Sequence, residues 1–279
     1  PMKSIKINSN GVPKTLPLPE VPGEVKLSQA LQFNYAYDAF HAWRNKELGD
    51  DLEKVTWHDL ETVEHKREYL EHIANCCSEF FDIPVKEWWG VKTGKVSGHI
   101  MRMSEPAMDE VADNMMSIFT WIYKVMASYT PRLRGKEDCT FEYKGERYTI
   151  PYFLIGYIEK GEANDDLSVA ESIECLEVKK AVEKLKKKQP VSARFTEIVN
   201  LLAILARKEG QTFPDSQVAI NALIDRQSKE FQEIDMVAGI DTAFFLSGIT
   251  KFLMKIKTIN WFFTPPRQKQ RPPKQGRTT

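Results

Sequence analysis

Two short strand–turn–strand patterns lie in a chain whose other apolar residues recur at helical spacing. Residues 3–18 alternate around the turn pair Asn10-Gly11, and residues 139–150 alternate around Gly145. Glycine in such a turn favours a tight hairpin, because the backbone there needs positive φ values. A hairpin alone is only marginally stable in water, so each must pack on helices or on the other hairpin. The sequence therefore predicts a mainly α fold with two short β-hairpins.

The two hairpins also match each other beyond the turn. Each turn glycine, Gly11 or Gly145, is followed after three residues by a threonine, an aliphatic residue and a proline. A Leu-Ser-x-Ala segment then follows at 27–30 and at 167–170, where the serine suits a helix N-cap. A duplicated unit would explain the match, as would two hairpins joined in one small sheet, and chance matches of this length also occur.

The spacing of apolar residues between proline and glycine breakers predicts about seven helices. They cover 28–46, 56–81, 105–128, 165–188, 192–209, 214–231 and 236–257. The expected architecture is a multi-helix bundle with a small antiparallel sheet. We divide the chain into three predicted parts. Residues 1–135 contain the first hairpin with its helices, and residues 136–263 contain the second hairpin with its helices. Residues 264–279 form a basic, Pro-rich extended tail.

The composition predicts a soluble, intracellular protein. The chain is 42% hydrophobic and 28% charged, and its 39 basic residues balance 39 acidic ones, so net charge indicates no polyanionic partner. The most apolar stretch, 238–263, contains Asp241 and three lysines, and it lacks the uninterrupted apolar run that a membrane span needs. The four cysteines include no CxxC pair, which favours buried free thiols over a zinc site.

Motif patterns give little support for catalysis. The sequence contains no GxxxxGK[ST], GxGxxG or GxSxG pattern, and its carboxylates are spread along helix faces. His58, His65 and His72 recur every seven residues on one predicted helix, which favours a solvated polar face. A metal-dependent enzyme that uses these histidines is the least favoured function, because their spacing along the helix is too wide for ligands of one ion. We predict no enzymatic activity, no cofactor and no metal site.

Candidate partner contacts lie mostly outside the regular helices. The Met and aromatic residues of 101–129 fit a helix core, with an adaptable partner surface as the alternative. Trp88 and Trp89 are predicted to lie in an aromatic turn, and the tail carries basic residues without any acid: Arg267, Lys269, Arg271, Lys274 and Arg277. This tail, together with the lysines of 179–188, would suit nucleic-acid phosphates or docking as an extended arm on a protein.

Four segments together resemble small tail-associated or tail-assembly, chaperone-like proteins of tailed bacteriophages. They are EVKLSQ at 24–29 after a hairpin, FEYKGERYTIP at 141–151, LLAILARKEGQTF at 201–213 and RQSKEFQEIDMVAGIDTAFFL at 226–246. The resemblance is imperfect, since Lys26 stands where threonine is usual, and the Trp88-Trp89 turn and the basic tail have no counterpart in it.

The resemblance implies a non-enzymatic virion or assembly protein that binds other phage proteins. It would act in the host cytoplasm during assembly, with retention in the virion as a further expectation. The resemblance carries no residue-level function. The alternative is a nucleic-acid-associated protein that acts through residues 264–279.

Overall fold

The computed structural model describes residues 4–9, 12–49, 57–84, 105–129, 140–149, 169–186, 190–211 and 216–239. The helices are α1 (Leu27–Glu47), α2 (Val63–Phe81), α3 (Glu105–Ala127), α4 (Val169–Lys186), α5 (Val191–Leu205) and α6 (Gln217–Glu230). The strands are β1 (Ser4–Ser9), β2 (Val12–Pro17), β3 (Thr140–Tyr143), β4 (Glu146–Thr149) and β5 (Arg207–Lys208). The predicted mainly α fold with two hairpins is confirmed.

Short 3₁₀ turns connect several of these elements. They are Pro22–Glu24 before α1, Trp57–Asp59 before α2 and Phe231–Glu233 after α6. A further helical turn at 236–239 begins the last predicted helix, whose remainder lies outside the described residues.

The hairpins belong to two separate antiparallel sheets. β1 and β2 pair with Ile5 opposite Leu16, and they form a two-stranded sheet. The second sheet has the order β3-β4-β5, so that β4 lies between its hairpin partner and the short strand that follows α5. The hairpins are not joined in one sheet, and that alternative is wrong. The second hairpin gains its third strand from residues that the sequence assigned to a helix, because Arg207 and Lys208 pair with β4.

The N-terminus of α1 differs from its prediction. Lys26 is the N-cap residue, and its backbone N–H donates to Oε1 of Gln29 at 3.0 Å. The helix therefore begins at Leu27, and the predicted cap by Ser28 is wrong. An antiparallel β-bridge with Asp235 holds Lys26 in an extended conformation, which moves the cap two residues upstream. The equivalent prediction for Ser168 lies outside the described residues.

A carboxylate of α1 caps the N-terminus of α5. The N-cap residue of α5 is Pro190, whose side chain has no hydrogen-bonding group. Oδ2 of Asp38 instead accepts a hydrogen bond from the backbone N–H of Ser192 at 2.8 Å. Arg194 is buried beside this site, where burial lowers the pKa of its guanidinium and the charge of Asp38 opposes that shift. The two helices are thus joined by a tertiary cap as well as by apolar packing.

The hydrophobic core is continuous from α1 to the segment after α6. Helix α1 packs on both α2 and α5, and α5 also packs on α4 and α6. Each residue from Leu201 to Arg207 is buried, which places the C-terminal end of α5 and the residues just after it in the interior of the described bundle. The core therefore contains residues from both sides of position 135, where the sequence suggested a boundary.

The Met and aromatic stripe of α3 lies in this core. Met108, Met115, Phe119 and Met126 are buried, which confirms the core interpretation for the described part of the stripe. Met101 and Met103 lie outside the described residues.

The described cysteines are buried thiols that are not part of a disulfide bond. Cys76 and Cys77 lie in α2 and Cys175 in α4, as predicted, whereas Cys139 lies outside the described residues. Burial raises the pKa of the Cys76 and Cys77 thiols, which keeps them protonated and unreactive near neutral pH. Within the same described ranges, no helix is both long enough and apolar enough to cross a membrane.

Candidate functional site

Four segments that are distant in sequence meet around the buried ring of Phe231. We call this region the Phe231 junction and define it as residues 25–28, 143–148, 207–208 and 231–236. It joins the start of α1, the β3–β4 hairpin, β5 and the 3₁₀ turn after α6. These segments overlap the four stretches that carry the sequence resemblance, so the structure places those stretches in contact with one another.

A pair of backbone hydrogen bonds closes one side of the junction. The N–H of Leu27 donates to the carbonyl of Ile234 at 2.8 Å, and the N–H of Met236 donates to the carbonyl of Val25 at 2.6 Å. Together they form the antiparallel bridge between Lys26 and Asp235. Leu27 is the first residue of α1, where backbone N–H groups have no intrahelical acceptor. The bridge supplies that acceptor from the other end of the described chain.

Side chains add a charged contact outside this bridge. Nζ of Lys26 lies 2.7 Å from Oε2 of Glu233, and the hydrogen bond to this ammonium lowers the pKa of the glutamate. The two side chains are 54% and 46% exposed, a setting in which ion pairs contribute less than about 1 kcal/mol. The backbone bonds and the packing beneath them therefore contribute more to the junction than this pair does.

Aromatic rings form the buried side of the junction. Phe231 is fully buried, with its ring centre 5.1 Å from that of Tyr148 and 6.1 Å from that of Tyr143. Both contacts are edge-to-face, an arrangement that adds about 0.5–1.5 kcal/mol per pair beyond the area buried. The hairpin is thereby fixed on the turn that follows α6.

The β5 strand attaches the same hairpin to α5. Tyr148 pairs with Lys208 and Thr149 with Arg207. The N–H of Glu209 donates to the carbonyl of Arg147 at 2.9 Å and continues this pairing.

Buried polar side chains then hold β5 to the helices on either side. A guanidinium N–H of Arg207 donates to the carbonyls of Ile204 and Ala206 at 2.7 and 2.8 Å. The amide of Gln227 in α6 donates to the same carbonyl of Ala206 at 2.9 Å. These bonds fix α5, β5 and α6 relative to one another.

The turn of the β3–β4 hairpin forms the outer edge of the junction. Lys144 and Gly145 have φ values of 52° and 75°, as the tight turn predicted from the sequence requires. Lys144, Glu146 and Arg147 are exposed to solvent, as charged side chains at a turn usually are. Nζ of Lys144 lies 5.1 Å from the ring centre of Tyr143, and Glu146 pairs with Lys208 at 2.7 Å. The junction thus has an apolar interior and an exterior of mixed charge.

The three histidines do not form one solvated face, as their spacing suggested, although His65 and His72 both lie beside Trp43. His58 is exposed and lies in the Trp57–Asp59 turn, outside α2, because Thr62 caps α2 by accepting a hydrogen bond from the N–H of His65. His72 is partly buried, with its ring centre 5.2 Å from Trp43 and 5.8 Å from Phe40 of α1. The predicted solvated face is therefore wrong for His72, which packs between α1 and α2.

Other groups near these histidines have structural roles. Trp43 donates from Nε1 to Oε2 of Glu68 at 2.7 Å, and the His65 ring lies 6.5 Å from the Trp43 ring. Within the described ranges, no group of three or more His, Cys, Asp or Glu side chains is placed to hold a metal ion.

The described lysines of the 179–188 cluster are mostly paired with carboxylates. Nζ of Lys180 lies 2.6 Å from Glu177, and Nζ of Lys184 lies 3.4 Å from Glu197. Lys179 is exposed. The side chains of Lys186, Lys187 and Lys188 lie outside what the structure describes, and so do the candidate contacts Trp88, Trp89, Arg267, Lys269, Arg271, Lys274 and Arg277.

A small cavity lies next to the start of α1. It has a volume of about 150 Å³ and is lined by Pro17, Leu18, Pro19, Glu24, Gln29 and Phe80. Sites for drug-sized ligands usually measure at least about 300 Å³. The cavity is thus suited to no more than a very small group.

Sequence reasoning missed the residues at the centre of the junction. Phe231, Glu233 and Asp235 lie where one predicted helix ends and the next begins, and their contacts are with α1 and the hairpin. No local pattern indicates a one-pair bridge between segments this distant in sequence. The hairpins were the available signal in the sequence, because a hairpin is marginally stable alone and needs another element to cover its apolar side.

Comparison of the chain with protein-family models, with curated proteins and with solved structures gave no significant match in any of the three.

Proposed function

We propose that this chain is a non-enzymatic structural or assembly protein of a tailed bacteriophage, which acts by binding other phage proteins as a tail-associated protein or virion component. The observation that carries the proposal is the bridge between Lys26 and Asp235, which joins two of the resembling segments. The other two meet in the pairing of β4 with β5. Segments that share one structural role are expected to touch, whereas chance matches would be scattered over the fold.

The chemistry of the junction also supports a binding role. Its buried part contains aromatic rings and hydrogen-bonded backbone groups, and some of its exposed charges form surface ion pairs, namely Lys26–Glu233 and Lys208–Glu146. Such a unit presents a rigid surface, which is the usual property of proteins that bind partners without large rearrangement. The protein would act in the host cytoplasm during assembly, and as a virion component it would remain in the particle.

The nucleic-acid alternative depends on residues 264–279. Lys180 and Lys184 of α4 are paired with carboxylates, which leaves less free positive charge on that helix for phosphate contacts. Binding through the tail would weaken steeply with salt, because phosphate contacts release counterions.

The experiment is affinity purification of the tagged full chain from phage-infected cells at low and at high salt. The proposal expects a phage tail or head protein to co-purify in fixed stoichiometry at both salt concentrations, with and without residues 264–279. Recovery of nucleic acid alone, lost at high salt and on deletion of 264–279, would favour the alternative. Recovery of the chain with no phage protein under any of these conditions would overturn the proposal.

A further inference from the structure

The N-terminal hairpin has two outer edges that differ in their hydrogen-bonding capacity. In an antiparallel pair, residues alternate between positions whose N–H and C=O point to the partner strand and positions where they point outward. Proline has no N–H, so within a sheet it is confined to positions that face away from the partner. Pro13 and Pro17 of β2 lie two steps apart in register, opposite Asn8 and Ser4 of β1. Both prolines therefore occupy outward-facing positions.

This register decides which edge can accept another strand. On β2 the outward positions are 13, 15 and 17, so Thr15 carries the one backbone donor left on that edge. On β1 the outward positions are Ser4, Lys6 and Asn8, and all three keep their N–H groups. In the part of the chain that the structure describes, β1 and β2 form a sheet of two strands, with no third strand beside β1. Prolines on an edge block strand addition there, so the open edge is that of β1.

An added strand would also extend an apolar face. Ile5 pairs with Leu16, and both are partly buried against the core. Residues two apart in a strand share a face. A strand beside β1 would therefore place every second residue on the face of Ile5. Its other residues would lie on the opposite face of the sheet.

The charge of the hairpin selects the class of partner. Residues 3–18 contain Lys3, Lys6 and Lys14 and no acidic residue. Pairing of two copies would bring like charges together, which opposes association. A strand with acidic residues would be attracted instead, because all charged residues of this segment are basic.

We propose that the outer edge of β1, at Ser4, Lys6 and Asn8, binds an extended segment of another protein in which apolar and acidic residues alternate. This is strand addition to an exposed sheet edge, in which main-chain hydrogen bonds give affinity and alternate side chains give selectivity. The inference rests on the proposed function in so far as it assumes a protein partner, and it specifies where and what that partner binds.

The test uses the full chain and a synthetic peptide of about ten residues that alternates valine and glutamate, a length that spans the strand. Fluorescence anisotropy measures binding, and amide hydrogen exchange locates it. The peptide should bind and protect the amides of Ser4, Lys6 and Asn8. The same peptide with lysine in place of glutamate should bind at least about tenfold more weakly.

Matched proline variants assign the edge. Lys6→Pro removes an outward donor of β1, and its affinity for the acidic peptide should fall about tenfold below that of Lys6→Thr, which loses the same charge. Thr15→Pro makes the same backbone change on the blocked edge and should alter the affinity less than about twofold. Ser4→Pro, at the first residue of the strand, is the second β1 variant, to be used if Lys6→Pro disturbs the pairing of Ile5 with Leu16.

Several results would overturn the inference. The first is an equal loss of affinity for the acidic peptide in the β1 proline variants and in Thr15→Pro. The second is equal affinity for the acidic and the basic peptide. The third is slow hydrogen exchange of the Ser4, Lys6 and Asn8 amides before peptide is added. A dimer that Lys6→Pro dissociates would assign the edge to a second copy instead. If the peptide fails to bind but phage proteins still co-purify, the edge assignment alone fails. If the peptide binds and no phage protein co-purifies, the proposed function fails and the edge assignment stands.

Discussion

The backbone N–H of Leu27 donates to the carbonyl of Ile234, so the first turn of α1 is completed by the segment that follows α6. Leu27 is fully buried, and its side chain packs directly beneath Gly239 in the turn that this segment forms. The start of the first helix and the end of the described chain therefore form one structural unit. A substitution that disturbs the contact at either end should therefore lower the stability of the whole unit.

Gly239 provides the sharpest test of this contact. A Cβ atom at Gly239 would lie 2.5 Å from Cδ1 of Leu27, which is buried and has little room to move. Gly239→Ala should lower the free energy of unfolding by about 1–3 kcal/mol, the usual range for overpacking. Gly23→Ala is the matched control, since a Cβ there meets no atom within 4 Å, and it should leave stability unchanged or slightly raised. Urea unfolding measures both, and equal free energies for the two variants would contradict the contact.

The Asp38 cap of α5 gives a second prediction. Asp38→Ala leaves the Ser192 N–H without its acceptor and removes the charge beside buried Arg194, so it should cost about 2 kcal/mol of unfolding free energy. Asp113→Ala, at an exposed position of α3, is the control and should change stability by less than about 0.5 kcal/mol. Asp38→Asn, which keeps an acceptor oxygen, should fall between them. If Asp38→Ala proves as mild as the control, the cap has no energetic role.

The helices and hairpins could be predicted from local pattern, because periodicity and turn residues act over a few positions. Where prediction failed, a contact with a distant segment decided the structure. LLAILARKEG reads as helix through residue 209, yet the chain leaves α5 after Leu205, because Arg207 and Lys208 pair with β4. The sequence predicts a helix start at Ser28, because a bridge between Lys26 and a residue as distant as Asp235 has no local sequence signal.

Stability should depend on pH through His72. Burial against Phe40 and Trp43 lowers the pKa of His72 below its ordinary value of 6.5, although Glu71 and Glu68 oppose the shift. Below that ordinary value the unfolded chain binds more protons than the folded protein. The contribution of neutral His72 to the free energy of unfolding is therefore complete above about pH 6.5, and it is lost as pH falls through the folded-state pKa.

His72→Phe keeps an aromatic ring at this position but removes the group that titrates. When the pH is lowered from about 7.5 to about 5, the free energy of unfolding should therefore fall less in this variant than in the parent chain. NMR titration of the His72 ring gives the folded-state pKa directly. A midpoint at or above 6.5, or identical pH dependence in the two proteins, would refute this role of His72.

The aromatic contact at the junction can be measured as a coupling energy. Phe231→Leu should destabilise the protein by about 1 kcal/mol and Phe231→Ala by about 3–5 kcal/mol, because Phe231 is fully buried. Combining Phe231→Leu with Tyr148→Leu should give a coupling of about 0.5–1.5 kcal/mol, as for other edge-to-face pairs. Val218→Ala, at an exposed position of α6, is the control, with a small expected effect. Additive losses at Phe231 and Tyr148 would show that the rings do not interact.

The candidate site was less predictable than the fold. The charged turn at Lys144 and Gly145 could be assigned to the surface from its composition, and the structure agrees. Phe231 could not be recognised as a centre, because nothing in its neighbourhood of the sequence shows that Tyr143 and Tyr148 cover it. The histidine spacing was misleading for the same reason, since the rings of α1 that bury His72 come from another part of the chain.

The most direct measurement of the central claim is quantitative mass spectrometry across a density gradient of lysate from phage-infected cells. The gradient separates complete particles, tail and head intermediates, and free protein. A virion or assembly protein should appear at constant ratio to one phage protein in the particle fraction or in an intermediate fraction. If the chain is found in the free-protein fraction alone, with no phage protein at constant ratio to it, the account of this protein as a tailed-phage structural or assembly component is contradicted.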